Sequence, residues 1–129
     1  MYSMKEASQL TGLSYDTIKF YCNKGLVPNV KRDSRNYRVF DQATIEWLKS
    51  LSCLKQCHFS IKEMSDYLNL CLKGETSLKE RQAMLEDKKN HLLKEAQNLK
   101  EALAYIDQKQ GYYQDVLDHK VAYHSNLKA

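Results

Sequence analysis

The sequence predicts a mainly α fold: a winged helix-turn-helix domain of four helices plus a two-stranded wing, followed by a long antiparallel coiled-coil dimerisation helix and a short C-terminal tail helix. Three observations predict it. Residues 3–24 read as two short helices joined at Thr11-Gly12-Leu13, and a seven-residue leucine repeat begins at Leu78. One Pro and four Gly in 129 residues leave few places where helices must stop. The expected divisions are 1–74 for the winged domain, 75–109 for the coiled-coil helix and 110–129 for a C-terminal effector or docking segment.

Ser3 followed by Glu6 is a capping box, in which the hydroxyl and the carboxylate satisfy first-turn amides reciprocally, so the first helix starts at Ser3. Met4, Ala7 and Leu10 share one face, and Gly12 supplies the left-handed residue that ends the helix. Ser14 caps a second helix. There Ile18, Tyr21 and Leu26 can pack inward, leaving Tyr15, Asp16, Lys19 and Phe20 outside. Such a pair forms a helix-turn-helix whose second helix suits a DNA major groove.

The only proline and a polar cluster follow in LVPNVKRDSRNYRVF, ending in the short alternation of Tyr37 and Val39. This predicts a hairpin wing. Lys31, Arg32, Arg35 and Arg38, with Tyr37 among them, have the composition of a phosphate-contacting loop. Asp41 caps a third helix with Ile45, Leu48 and Leu51/Ser52 in one stripe, widened by Trp47 and Leu54. After a break at Cys57-His58-Phe59, a second capping box (Ser60, Glu63) opens a fourth helix. Its stripe is Ile61, Met64, Leu68 and Cys71, and it ends near Lys73-Gly74.

From Leu78 the repeat Leu78, Leu85, Leu92, Leu99, Ile106 is joined by Ala96 and Leu103. Alternating steps of three and four make a coiled-coil seam. Some thirty residues give a rod of roughly 45 Å, longer than the winged domain can cover. A second copy of the same helix is the simplest partner. The dimerisation set is Leu85, Leu92, Ala96, Leu99, Leu103 and Ile106. The remaining tail forms a short helix with Tyr113, Val116, Leu117 and Tyr123 toward one side.

Charge locates the function. Residues 1–40 hold seven Lys/Arg against three Asp/Glu, while the rest of the chain balances, so the net charge of +4 sits on the helix-turn-helix and wing. No apolar run approaches the roughly 18 residues of a membrane span, and no signal-peptide pattern opens the chain. A cytoplasmic protein without a membrane partner is expected. Cys22, Cys53, Cys57 and Cys71 fit neither a CxxC redox motif nor a zinc-ribbon spacing and are expected to be thiols. No cofactor or metal is expected: Asp115 and His119, one turn apart, offer only two ligands.

The order of these elements resembles the MerR family of transcription regulators along the whole chain. The resemblance is carried by Thr11 to Ser14, Thr17-Ile18-Lys19-Phe20-Tyr21-Cys22, Gly25-Leu26-Val27-Pro28, Asn36-Tyr37-Arg38-Val39-Phe40 and His58-Phe59-Ser60-Ile61-Lys62-Glu63-Met64. Four positions depart from the family pattern. Lys19 replaces Arg, keeping charge without the bidentate fork. Asn36 and His58 replace glycines, and Cys22 stands where Glu is usual. The resemblance implies a homodimer that bends and untwists a near-palindromic promoter operator, RNA polymerase being engaged indirectly. The expected DNA-binding residues are Ser14, Tyr15, Thr17, Lys19, Phe20, Tyr21, Arg35, Tyr37 and Arg38. No catalysis is implied.

Cys53-Leu54-Lys55 resembles a segment of the family's thiol-responsive branch, which makes Cys53 the candidate sensor. Lys49 and Lys55 nearby would favour its thiolate. The alternatives are a Cys53 that only packs, and a small apolar effector held by Tyr67, Tyr105, Tyr112, Tyr113 and Tyr123. Cys53 and Cys57 share a helix face, yet lie too far apart for an unstrained disulfide. An architectural DNA-bending protein without a sensor stays open beside the regulator, although it would not need the long rod. A thiol oxidoreductase would need a CxxC or an obvious base, and neither is present.

Overall fold

The computed structural model describes residues 1–127, in two compact units, Met1–Glu86 and from Asp87 onward. The chain order is β1 (Tyr2–Ser3), α1 (Met4–Thr11), α2 (Tyr15–Asn23), β2 (Lys31–Arg32), β3 (Arg38–Phe40), α3 (Gln42–Gln56), α4 (Ile61–Leu72), a 3-10 turn (Gly74–Ser77) and α5 (Leu78–Leu117).

The first four helices start where their cap chemistry requires. Glu6 N–H donates to Ser3 Oγ at 3.1 Å while Ser3 N–H donates to Glu6 Oε1 at 3.1 Å, and Ser60 and Glu63 repeat the arrangement at α4. Asp41 Oδ1 accepts from Thr44 N–H at 2.7 Å at the start of α3. Gly12 ends α1 at φ 73°, and its N–H donates to Ser8 O. Asn36 and His58 adopt φ of 65° and 64°, the left-handed backbone that glycine would supply in their places.

The wing is larger than expected. β1 adds to the outer side of β3, with Tyr2 opposite Phe40 and Ser3 opposite Val39, while β2 pairs on the other side through Lys31–Val39 and Arg32–Arg38. Tyr2 Oη donates to Gln42 Oε1 at 2.9 Å, which anchors the added strand to α3. The hairpin is thereby the side of a three-stranded sheet, and Phe40, fully buried, ties that sheet to the core.

The core is Ala7, Ile18, Tyr21, Leu26, Val27, Phe40, Ile45, Leu48, Leu51, Phe59 and Met64, with Trp47, Leu54 and Met84 among the side chains packed against it. Each fully buried large aliphatic side chain contributes about 1.5–3 kcal/mol. Leu10, placed by spacing on the apolar face of α1, is 47% exposed: an eight-residue helix has room for one buried column, taken here by Met4 and Ala7. Trp47 Nε1 donates to Leu26 O at 2.7 Å, closing α3 over the segment that follows α2.

The junction after α4 is polar and satisfied. Buried Ser77 Oγ lies within hydrogen-bonding reach of both Leu70 O and Gly74 O, its one proton serving either, and Arg81 donates to Ser77 Oγ at 2.9 Å and Gly74 O at 2.5 Å. These bonds, with Met84, keep the first turns of α5 in the first unit.

A separate tail helix is not formed. α5 runs 40 residues, about 60 Å, straight through Gly111. A single interior glycine costs only about 1 kcal/mol, too little by itself to stop a helix already running from Leu78. The chain turns at His119, φ 60°, and Tyr112 Oη then accepts from His124 N–H at 2.6 Å. Along α5, Leu99, Leu103 and Ile106 are 50–66% exposed and Ala96 is exposed, whereas Leu92 is half-buried and Leu85 39% exposed.

Candidate nucleic-acid interface

α2 is positioned by its cap. Ser14 Oγ accepts from Thr17 N–H at 3.1 Å and donates to Thr17 Oγ1 at 2.8 Å. Ile18 and Tyr21 enter the core on one side, so Tyr15, Lys19 and Phe20 emerge on the other. The Lys24 ammonium lies 5.6 Å from the Phe20 ring centroid. Tyr21 is a correction: only 2% exposed, it belongs to the core rather than to a DNA-facing surface, and burial pushes its phenol up from the ordinary value.

The wing brings Arg35 and Tyr37 to the surface, Tyr37 being 66% exposed, with Arg38 half-buried. Tyr15 of α2 lines one open cleft of about 390 Å³ together with Arg32, Tyr37 and Arg38 of the wing and Lys5 of α1. Thr17 and Phe20 instead line a second cleft, about 400 Å³, with Lys55, Phe59 and Met64. The expected DNA-binding residues therefore fall on two sides of α2, as positions two apart on a helix must.

Two residues, Asn23 and Asp33, escaped the sequence reading. Asn23 Oδ1 accepts from Arg38 Nη2 at 2.8 Å, and Arg32 Nη1 donates to Asn36 O at 2.9 Å. Asp33 Oδ1 accepts from both Arg35 N–H and Tyr37 N–H. The Asp-x-x-Asn spacing of a turn could have flagged Asp33; no local signal joins Asn23 to a residue fifteen positions on. Cys22, where burial raises the thiol above its ordinary value, is pulled the other way by Arg38 and Arg32.

Cys53 is exposed and lines a cleft of about 380 Å³ with Trp47, Lys49, Tyr67 and Cys71. The Lys49 ammonium is shared with Glu46 at 3.4 Å. Lys55 is not beside the thiol: two residues on, it faces the other cleft. All four cysteines are free thiols. Tyr105, Tyr112, Tyr113 and Tyr123 line a groove of about 630 Å³, but Tyr67 lies in the first unit, edge-on to Phe59 at 6.1 Å. His119 leaves the helix, so Asp115 and His119 do not keep helical spacing. Among the described residues no cluster of three or more His, Cys, Asp or Glu could hold a metal ion. None of their helices is long and apolar enough to cross a membrane.

The short capped helices, the basic sheet beside them and the long helix beyond define a winged helix-turn-helix DNA-binding protein. The model of the MerR HTH regulatory family matches residues 2–71, and the chain belongs to that family. It is 30% identical over 128 residues to an uncharacterized HTH-type transcriptional regulator of Haemophilus influenzae, covering 99% of this chain and 87% of that one. HiNmlR, a MerR family regulator lacking the sensor domain and solved bound to promoter DNA, superposes at a TM-score of 0.72 with 29% identity, over 91% of this chain and 93% of HiNmlR. A Listeria monocytogenes protein assigned to the MerR family of transcriptional regulators superposes at 0.78 with 30% identity, over 93% and 91% of the two chains.

Proposed function

We propose that this chain is a homodimeric regulator that holds a near-palindromic promoter operator through α2 and the wing, and bends and untwists it so that RNA polymerase can use the promoter. The observation that carries the reading is the shared cleft of Tyr15, Arg32, Tyr37 and Arg38, where helix and wing present one basic, aromatic-bearing surface. The apolar positions of α5 supply the pairing surface between copies, with Leu85, Leu92, Ala96, Leu99, Leu103 and Ile106 as the seam. Flanking phosphates are gripped by each copy while the untouched central steps take up the deformation. The protein acts in the cytoplasm.

The signal is read at Cys53 by covalent modification. Its thiol is exposed in a cleft between α3 and α4, so an added group displaces one helix against the other. A second reading places a small apolar effector in the groove of Tyr105, Tyr112, Tyr113 and Tyr123. Selection of bound fragments from genomic and random DNA tests the operator reading: enrichment of near-palindromes between promoter elements is expected, and recovery of no preferred sequence overturns it.

A further inference from the structure

Asp33 is an acid in the middle of the basic segment Lys31-Arg32-Asp33-Ser34-Arg35-Asn36-Tyr37-Arg38. By charge alone it opposes contact with phosphates. Its geometry assigns it a different part. Asp33 Oδ1 accepts from Arg35 N–H at 2.9 Å and from Tyr37 N–H at 3.0 Å. Its own N–H donates to Tyr37 O at 2.9 Å, and its carbonyl accepts from Asn36 N–H at 2.9 Å. Four hydrogen bonds therefore converge on one residue and close the turn between β2 and β3, with Asn36 in the left-handed conformation that the closure requires. β2 has only two residues, and so short a ribbon edge is marginal without side-chain support.

We propose that Asp33 is a positioning residue of the DNA interface: its carboxylate orders the backbone that aims Arg35 and Tyr37. The proposal rests on the reading of the wing as a DNA contact. The two amides held by Asp33 Oδ1 belong to the two most outward wing residues of that reading, so the carboxylate sets their direction without touching DNA. A pre-ordered wing loses less conformational entropy on binding, and this gain opposes the charge penalty. The two effects are separable, because asparagine keeps the acceptor oxygen and removes the charge, whereas alanine removes both.

The test compares the parent, Asp33→Asn and Asp33→Ala at fixed salt on a duplex recovered by the selection above and on a mixed-sequence duplex. Amide hydrogen exchange at Arg35 and Tyr37 is followed without DNA. Asp33→Ala should bind about fivefold more weakly although it removes a negative charge, with faster exchange at both amides. Asp33→Asn should bind as tightly as the parent or tighter, with exchange unchanged. Asp33→Ala binding as well as Asp33→Asn, or both variants weakening equally, overturns the proposal. Should Asp33→Ala fail to fold, Asp33→Asn decides: protected amides with affinity below the parent's overturn the proposal, and affinity at or above it supports it. A parent that binds neither duplex overturns the DNA reading itself, and the positioning role with it.

Discussion

Asn23 Oδ1 accepts a hydrogen bond from Arg38 Nη2 at 2.8 Å, tying the last residue of α2 to the first residue of β3. Helix and wing are joined by this contact through Arg38, which also lines the cleft shared with Tyr15. Asn23→Ala should weaken DNA binding by roughly 1 kcal/mol, because the Arg38 guanidinium loses its orientation, and should leave thermal stability nearly unchanged, the bond itself being exposed. Unaltered affinity with a lowered melting temperature would assign the bond to stability alone.

Arg38→Ala and Tyr37→Ala should each cost about 1–2 kcal/mol on all sequences alike, as expected of phosphate contacts. Lys19→Ala should lower the slope of log affinity against log salt by about one if its ammonium meets a phosphate. Fluorescence anisotropy over a salt series measures both. An unchanged slope removes Lys19 from the phosphate contacts.

Replacing Leu92 and Leu99 together by Asp should abolish dimerisation and operator binding in parallel, because charges in an apolar seam have no partners. Light scattering at micromolar concentration reads the mass. A folded monomeric parent that still binds its operator would contradict the seam.

Cys53→Ser should abolish the transcriptional response to aldehydes or quinones while preserving DNA binding. Mass spectrometry after alkylation at neutral pH should find exposed Cys53 modified before Cys22, whose thiol is raised by burial. A normal response of the Ser variant would move the signal to the tyrosine-lined groove.

Hydrogen bonds from the backbone and then the side chain of Ser3 hold the Glu6 carboxyl below its ordinary 4.5, and those from Thr44 hold Asp41 below 3.8. Both shifts are downward. Their stabilisation is therefore complete above the ordinary values and lost as pH falls through the lower folded ones. The melting temperature of the parent should begin to fall below about pH 4.5, and Glu6→Gln with Asp41→Asn, which keep acceptors without titrating, should flatten that fall. An equally steep fall in the double variant would locate the acid sensitivity elsewhere.

Local chemistry was legible throughout the chain. Ser3, Ser14, Asp41 and Ser60 cap the helices they were read as capping, and Ile45, Leu48 and Leu51 lie inward as their spacing requires. Asn36 and His58 take glycine-like backbone. Errors arose where a local pattern had two outcomes. Tyr21 could serve the core or the surface, and the packing of α2 took it inward; Gly111 could break or continue a helix, and its neighbours continued it.

By itself the sequence determined the helix starts, the apolar stripes and the concentration of charge in residues 1–40, because each depends on residues within a turn or two of one another. Only the tertiary structure decided that Tyr2–Ser3 pairs with β3 and that Asn23 meets Arg38. These depend on where separate elements come to rest, and that is set by the summed burial of the whole core around Ile18, Phe40 and Leu48, which no short stretch of residues encodes.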